Sequence, residues 1–188
     1  MEALIFSTTI VALAEMGDKT QLLSFVLAAK FKRKMPIILG ILFATLANHF
    51  LAGSLGAWIA SLMSTQALRW LIALSFFAFG VWALKPDKLK EDQNLPGTGV
   101  FLTTLIAFFL VEMGDKTQLA TIALAARFDS LVAVVLGTTL GMMVANIPAV
   151  LIGGALAHRV NMVVMRWVAA GLFGLLGVLT LLAPTPGA

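Results

Sequence analysis

Residues 15–22 read Glu-Met-Gly-Asp-Lys-Thr-Gln-Leu, and residues 112–119 read Glu-Met-Gly-Asp-Lys-Thr-Gln-Leu again. Eight identities in succession at an offset of 97 residues mark an internal duplication. The same offset superposes Leu27-Ala28-Ala29 on Leu124-Ala125-Ala126, Phe31 on Phe128, Gly40 on Gly137, Gly56 on Gly153, Arg69-Trp70 on Arg166-Trp167 and Gly80 on Gly177. The repeat therefore runs through both halves of the chain.

Each copy of the octapeptide lies inside an apolar stretch. Of the 188 residues 60% are hydrophobic and 12% charged, against about a quarter charged in soluble domains, and the mean hydropathy is +1.00. Six apolar stretches, near 3–29, 35–61, 66–84, 99–126, 131–156 and 160–183, are each long enough for a spanning helix of about 20 residues. The expected fold is an all-α integral membrane protein of six transmembrane helices: a first three-helix repeat over 1–84, a charged linker over 85–98 and a second repeat over 99–188. The N-terminus lacks a basic leader region, and its apolar stretch outruns a signal peptide, so it reads as a retained helix.

Three spans per half is an odd number. The second half then enters the membrane from the opposite side, which makes the duplication an inverted repeat about an in-plane pseudo-two-fold axis. Charge supports this. One side would carry Lys30, Lys32, Arg33, Lys34, Lys85, Lys88, Lys90, Arg159 and Arg166, the other only Arg69 and Arg127. The positive-inside rule places the 30–35, 85–98 and 157–160 loops in the cytoplasm and both termini outside. With its basic residues at helix ends, a net charge of +4 signals membrane orientation rather than nucleic-acid binding. Membrane lipid is the expected surrounding. Without cysteine there is no disulfide or thiolate metal site.

Within this frame Glu15, Asp18, Lys19, Glu112, Asp115 and Lys116 fall near span centres, where one charged group costs at least about 2.5 kcal/mol. Six such groups imply a shared polar interior. On a continuous α-helix Glu15, Asp18 and Lys19 share a face, as do Glu112, Asp115 and Lys116. The pseudo-two-fold axis would bring four carboxylates and two ammonium groups together, a net charge of −2 that suits a divalent cation. Hard cations such as Ca²⁺, Mg²⁺ and Mn²⁺ prefer oxygen ligands, and Thr20, Thr117, Gln21 and Gln118 would add more.

Several of these residues also have a structural reading. Lys19 and Lys116 stand at i+4 from their glutamates and would serve as counter-ions within one helix, or take part in proton exchange. Gly17 and Gly114 allow close helix approach or a broken helix whose carbonyls face a cavity. The threonines and glutamines suit helix–helix hydrogen bonding as well as ligation, and Asn48, His49 and Asn146 either line a pathway or bond between helices. Trp58, Trp70, Trp82 and Trp167 read as interfacial anchors.

The pattern Glu-x-Gly-Asp-(Lys/Arg)-(Thr/Ser), present at Glu15 to Thr20 and at Glu112 to Thr117, resembles the family of the human Golgi transmembrane protein 165, whose prokaryotic members include manganese exporters. The resemblance covers essentially the whole chain. It implies a secondary transporter of Mn²⁺, and in some members Ca²⁺, that exchanges the metal for protons with the motif acids as ligands. The transported cation is the only metal expected, with no resident cofactor. Short loops suit a bacterial inner-membrane protein, and the oligomeric state is left open. Two rival readings are an exporter of a small cationic metabolite such as an amino acid, and an intramembrane hydrolase with a metal-activated water. The motif lysines oppose the first and the lack of HExxH the second, so no enzyme is expected.

Overall fold

The computed structural model describes residues 1–85, 99–152 and 162–182. Among these residues the secondary structure is helical, with no strand: α1 (Glu2–Glu15), α2 (Lys19–Phe31), α3 (Lys34–Leu62), α4 (Thr65–Ala83), α5 (Val100–Glu112), α6 (Lys116–Arg127), α7 (Leu131–Ile152) and α8 (Met162–Leu182). The linker beyond Lys85 and the 157–160 loop lie outside the described residues, and so do Lys88, Lys90, Arg159 and Gly153.

The continuous helices expected over 3–29 and 99–126 are each two helices. Met16 takes φ −63°, ψ 111°, Gly17 takes φ 85°, and the Asp18 N–H donates to the Glu15 carbonyl at 3.0 Å. The second copy repeats this, with Met113 at φ −60°, ψ 121°, Gly114 at φ 74°, and Asp115 N–H to Glu112 carbonyl at 3.1 Å. These are the marks of a type II β-turn, whose third residue needs a positive φ that only glycine adopts without strain. Asp18 and Lys19 therefore open a new helix instead of extending the face of Glu15, and Asp115 and Lys116 do the same after Glu112.

Other boundaries follow local chemistry. Lys32, at φ 53°, ends α2 by donating its N–H to the Ala28 carbonyl, and Pro36 sits in the first turn of α3, where its missing N–H costs nothing. The Ser64 hydroxyl accepts from the Ala67 N–H to cap α4. Three helices, α3, α4 and α7, are long and apolar enough to cross a membrane, and α5 and Arg166–Leu182 are shorter apolar helices.

Packing partners exchange between the two halves of the sequence. Helix α1 lies against α7 and α5 against α3; α2 meets α7 and α6 meets α3; α4 pairs with α8, and α3 crosses α7. The correspondence reaches single residues. A Cβ on Gly40 would strike Thr104 and the Phe101 carbonyl, and one on Gly137 would strike Ser7 and the Leu4 carbonyl, each pair related by the 97-residue offset. Phe76, Phe79 and Phe173 form an aromatic cluster between α4 and α8, with centroids 5.8 to 6.4 Å apart.

Polarity is arranged from the inside out. Phe43, Phe50, Trp58, Leu74, Val81, Leu110, Val132 and Trp167 are exposed, whereas Glu15, Asp18, Glu112, Asp115 and Lys116 are buried. Water would penalise so broad an apolar surface, and lipid would not. At the crossing of α3 and α6, Gly56 abuts the Ile122 carbonyl so closely that a Cβ there would overlap it. Gly56→Ala is expected to lower stability by about 1 to 3 kcal/mol. A melting temperature in detergent equal to wild type would show that this crossing tolerates separation.

Candidate functional site

Each β-turn ends one helix on a glutamate and starts the next on an aspartate. Glu15 closes α1 and Glu112 closes α5, while Asp18 and Asp115 occupy the N-cap positions of α2 and α6 without a side-chain capping hydrogen bond. The aspartates are engaged across the repeat instead. Lys116 Nζ donates to Asp18 Oδ1 at 2.6 Å, and Lys19 Nζ lies 2.9 Å from Asp115 Oδ1. Lys19 is thus carried to the other copy's aspartate rather than to Glu15, because the turn ends the helical register an i, i+4 pair requires. Burial of these ions is tolerable only because each has an opposite charge in reach.

The glutamates are held within their own copies. The Thr20 hydroxyl donates to Glu15 Oε2, and the Thr117 hydroxyl to Glu112 Oε2 at 3.1 Å. That leaves Glu15 Oε1, Glu112 Oε1 and Asp115 Oδ2 buried and without a hydrogen-bond partner among the described residues. One carboxylate oxygen each from Glu15, Glu112 and Asp115 lies within 4.8 Å of the others. Oxygens bound to one hard cation at about 2.0 to 2.6 Å stand about 3 to 5 Å apart, so this spacing matches a cation's first coordination sphere. Asp18, whose Oδ1 is held by Lys116, is not one of the three.

The glutamines brace the turns. Gln21 Oε1 accepts from the Gly17 N–H at 3.0 Å and its Nε2 donates to the Ala145 carbonyl of α7 at 3.1 Å. Gln118 Oε1 accepts from the Gly114 N–H at 2.6 Å and its Nε2 donates to Asn48 Oδ1 of α3 at 3.2 Å. Asn48 Nδ2 in turn donates to the Phe109 carbonyl at 3.0 Å, tying α3 to α5. Asn146 accepts from the Ser24 hydroxyl at 2.7 Å and donates to the Met142 carbonyl. His49 is fully buried, and neither ring nitrogen has a partner among the described residues.

Three features of the site escaped the sequence reading: the crossed lysine–aspartate ties, the Ser24–Asn146 bond, and a cleft lined in part by Gly17, Asp18, Lys116 and Arg166. Arg166 entered the sequence reading as a topology charge and as the repeat match of Arg69, but not as a site residue. That match, at the same offset as the motifs, was the signal that could have placed it near them.

The family model described as "Divalent cation/proton antiporter GDT1" matches residues 3–91 and 100–187. A protein of Vibrio cholerae named "Putative manganese exporter" is 48% identical over 181 residues, covering 96% of this chain and 90% of its own length. "GDT1-like protein 5" of Arabidopsis thaliana is 28% identical over 211 residues, covering 92% of each chain. No solved structure matches the chain. The resemblance carried by the motif is upheld, and the reading as a transporter rather than an enzyme with it. A duplicated acidic turn buried among apolar helices, together with a family match across both repeats, makes this chain a membrane cation transporter belonging to the divalent cation/proton antiporter GDT1 family.

Proposed function

We propose that the chain exports Mn²⁺, with Ca²⁺ as a second substrate, in exchange for protons by alternating access. The observation that carries this reading is the convergence of Glu15, Glu112 and Asp115, each with a buried oxygen lacking a partner among the described residues. Three acids make a hard, anionic oxygen site of the kind divalent cations occupy. The names of the family and of the Vibrio relative support the choice of cation. Thr20 and Thr117 orient the glutamates in this scheme, Gln21 and Gln118 hold the turns, and Asn48, His49 and Asn146 flank the route.

The proposed architecture is six spans in two inverted halves, with α1–α2 and α5–α6 each acting as one broken span. The exchange of packing partners between halves supports it. Broken helices that meet near the midplane are the usual ion-site device of inverted-repeat transporters. Both termini face outward from a bacterial inner membrane in this reading. A metabolite ammonium is the less suitable cargo, since its single charge balances three convergent carboxylates less fully than a divalent ion does, and two lysine ammonium groups already serve the aspartates.

Coupling follows from charge. Exporting two positive charges against 100 mV, negative inside, costs about 4.6 kcal/mol, so an ion must enter in return. Carboxylates crowded together cannot all remain ionised once the metal departs, so metal and protons become alternative occupants. In proteoliposomes, Mn²⁺ entry is expected to raise lumenal pH in step with metal uptake, and Ca²⁺ to do so more weakly. Metal uptake without a lumenal pH change would sink the proton-exchange reading.

A further inference from the structure

The two lysine ties are chemically alike but differently placed. Lys19 holds Asp115, one of the three convergent acids, and its side chain is 21% exposed; Lys116 holds Asp18, outside that trio, and its side chain is 6% exposed. Asp115 is thus shared between a lysine and the cation site. Its Oδ1 faces the Lys19 ammonium at 2.9 Å, and its Oδ2 has no hydrogen-bond partner among the described residues.

We propose that Lys19 is a tethered counter-ion that competes with the divalent cation for Asp115, holding that carboxylate until an arriving cation takes it. The inference rests on the three-acid reading given above. A divalent ion among Glu15, Glu112 and Asp115 would stand a few ångströms from the Lys19 ammonium, and like charges so close in a poorly solvated interior repel strongly. Lys19 has the means to withdraw: a flexible four-carbon stem and a side chain already in part exposed. Lys116 is enclosed, and the acid it holds is not one the metal takes. Loading the metal then releases the Lys19–Asp115 tie between the two repeats while Lys116–Asp18 persists. Metal occupancy is thereby converted into a change in how the repeats are joined. A site that holds neither metal nor protons keeps both ties, which disfavours its rearrangement.

The test is Mn²⁺ titration of the purified full-length chain in detergent by calorimetry, with the metal-free melting temperature as a check on folding. Lys19→Met removes the competitor and is expected to tighten Mn²⁺ binding about tenfold. Lys19→Arg, whose planar fork grips a carboxylate with two hydrogen bonds, is expected to weaken it about tenfold. Lys116→Met removes the same charge from the cluster and is expected to shift affinity less than about threefold. Equal shifts in Lys19→Met and Lys116→Met would reduce both lysines to general neutralisation and overturn the proposal. So would weaker binding in Lys19→Met, and if that variant does not fold, unchanged or tighter binding in Lys19→Arg decides against it. Failure of the wild-type chain to bind Mn²⁺ would remove the three-acid reading itself, a result distinct from wild-type binding that ignores Lys19.

Discussion

Glu112→Gln is expected to abolish Mn²⁺ transport in proteoliposomes while leaving a folded protein. Glu112 is fully buried at the end of α5, takes one hydrogen bond from Thr117 on Oε2, has Oε1 without a partner among the described residues, and brings a carboxylate oxygen within 4.8 Å of one each from Glu15 and Asp115. The amide keeps size and shape and removes one of three charges that face the cation. Losing merely the orienting partner of a metal ligand typically costs 10- to 100-fold in affinity, so loss of a ligand charge is expected to exceed about 100-fold. Folding should survive, because removing an unpaired buried charge relieves desolvation. Mn²⁺ uptake at the wild-type rate in Glu112→Gln would exclude Glu112 as a ligand.

The second large effect is expected at a residue that touches no cation. Gly114 has φ 74°, and a Cβ built on it meets nothing within 4 Å, so any penalty for substitution there comes from the backbone rather than from a clash. A β-branched residue at positive φ costs about 1 to 3 kcal/mol, and the chain escapes that strain by reopening the turn. Reopening moves Glu112 and Asp115 relative to each other, and a shift of about 1 Å at a reacting centre commonly costs about 100-fold in rate. Gly114→Val should therefore lose about 100-fold in transport with only a modest fall in melting temperature. Gly114→Asn should lose far less, because asparagine tolerates the left-handed region. Equal activity of the valine and asparagine variants would show that the turn is not what positions the acids.

Much of the fold was legible because its cause is local and periodic. Apolar length marked α3, α4 and α7, whose observed limits fall near the expected 35–61, 66–84 and 131–156, the last as far as Ile152 within the described residues. The helix breaks were not decidable in the same way. Gly17 and Gly114 suit both close packing and a turn, and what decides for the turn includes Gln21 and Gln118, which reach back to the glycine N–H groups while bonding α7 and α3. Those partners lie far off in sequence, so no window around the motif contains them.

By itself the sequence determined that the chain lives in lipid, that it is duplicated, and that the costly acids at 15, 18, 112 and 115 belong to the shared interior. Each of these follows from composition, identity at a fixed offset, or the expense of charge in hydrocarbon, none of which needs coordinates. Only the tertiary structure decided how the six charged motif residues divide. Two identical octapeptides carry no information about which partner each lysine takes or which acids come together. Packing of α1 on α7 and α5 on α3 sets the turns against each other, crosses Lys19 to Asp115 and Lys116 to Asp18, and draws Glu15, Glu112 and Asp115 into one group. Charge pairing across a repeat depends on distances between elements about a hundred residues apart, and only packing fixes those distances.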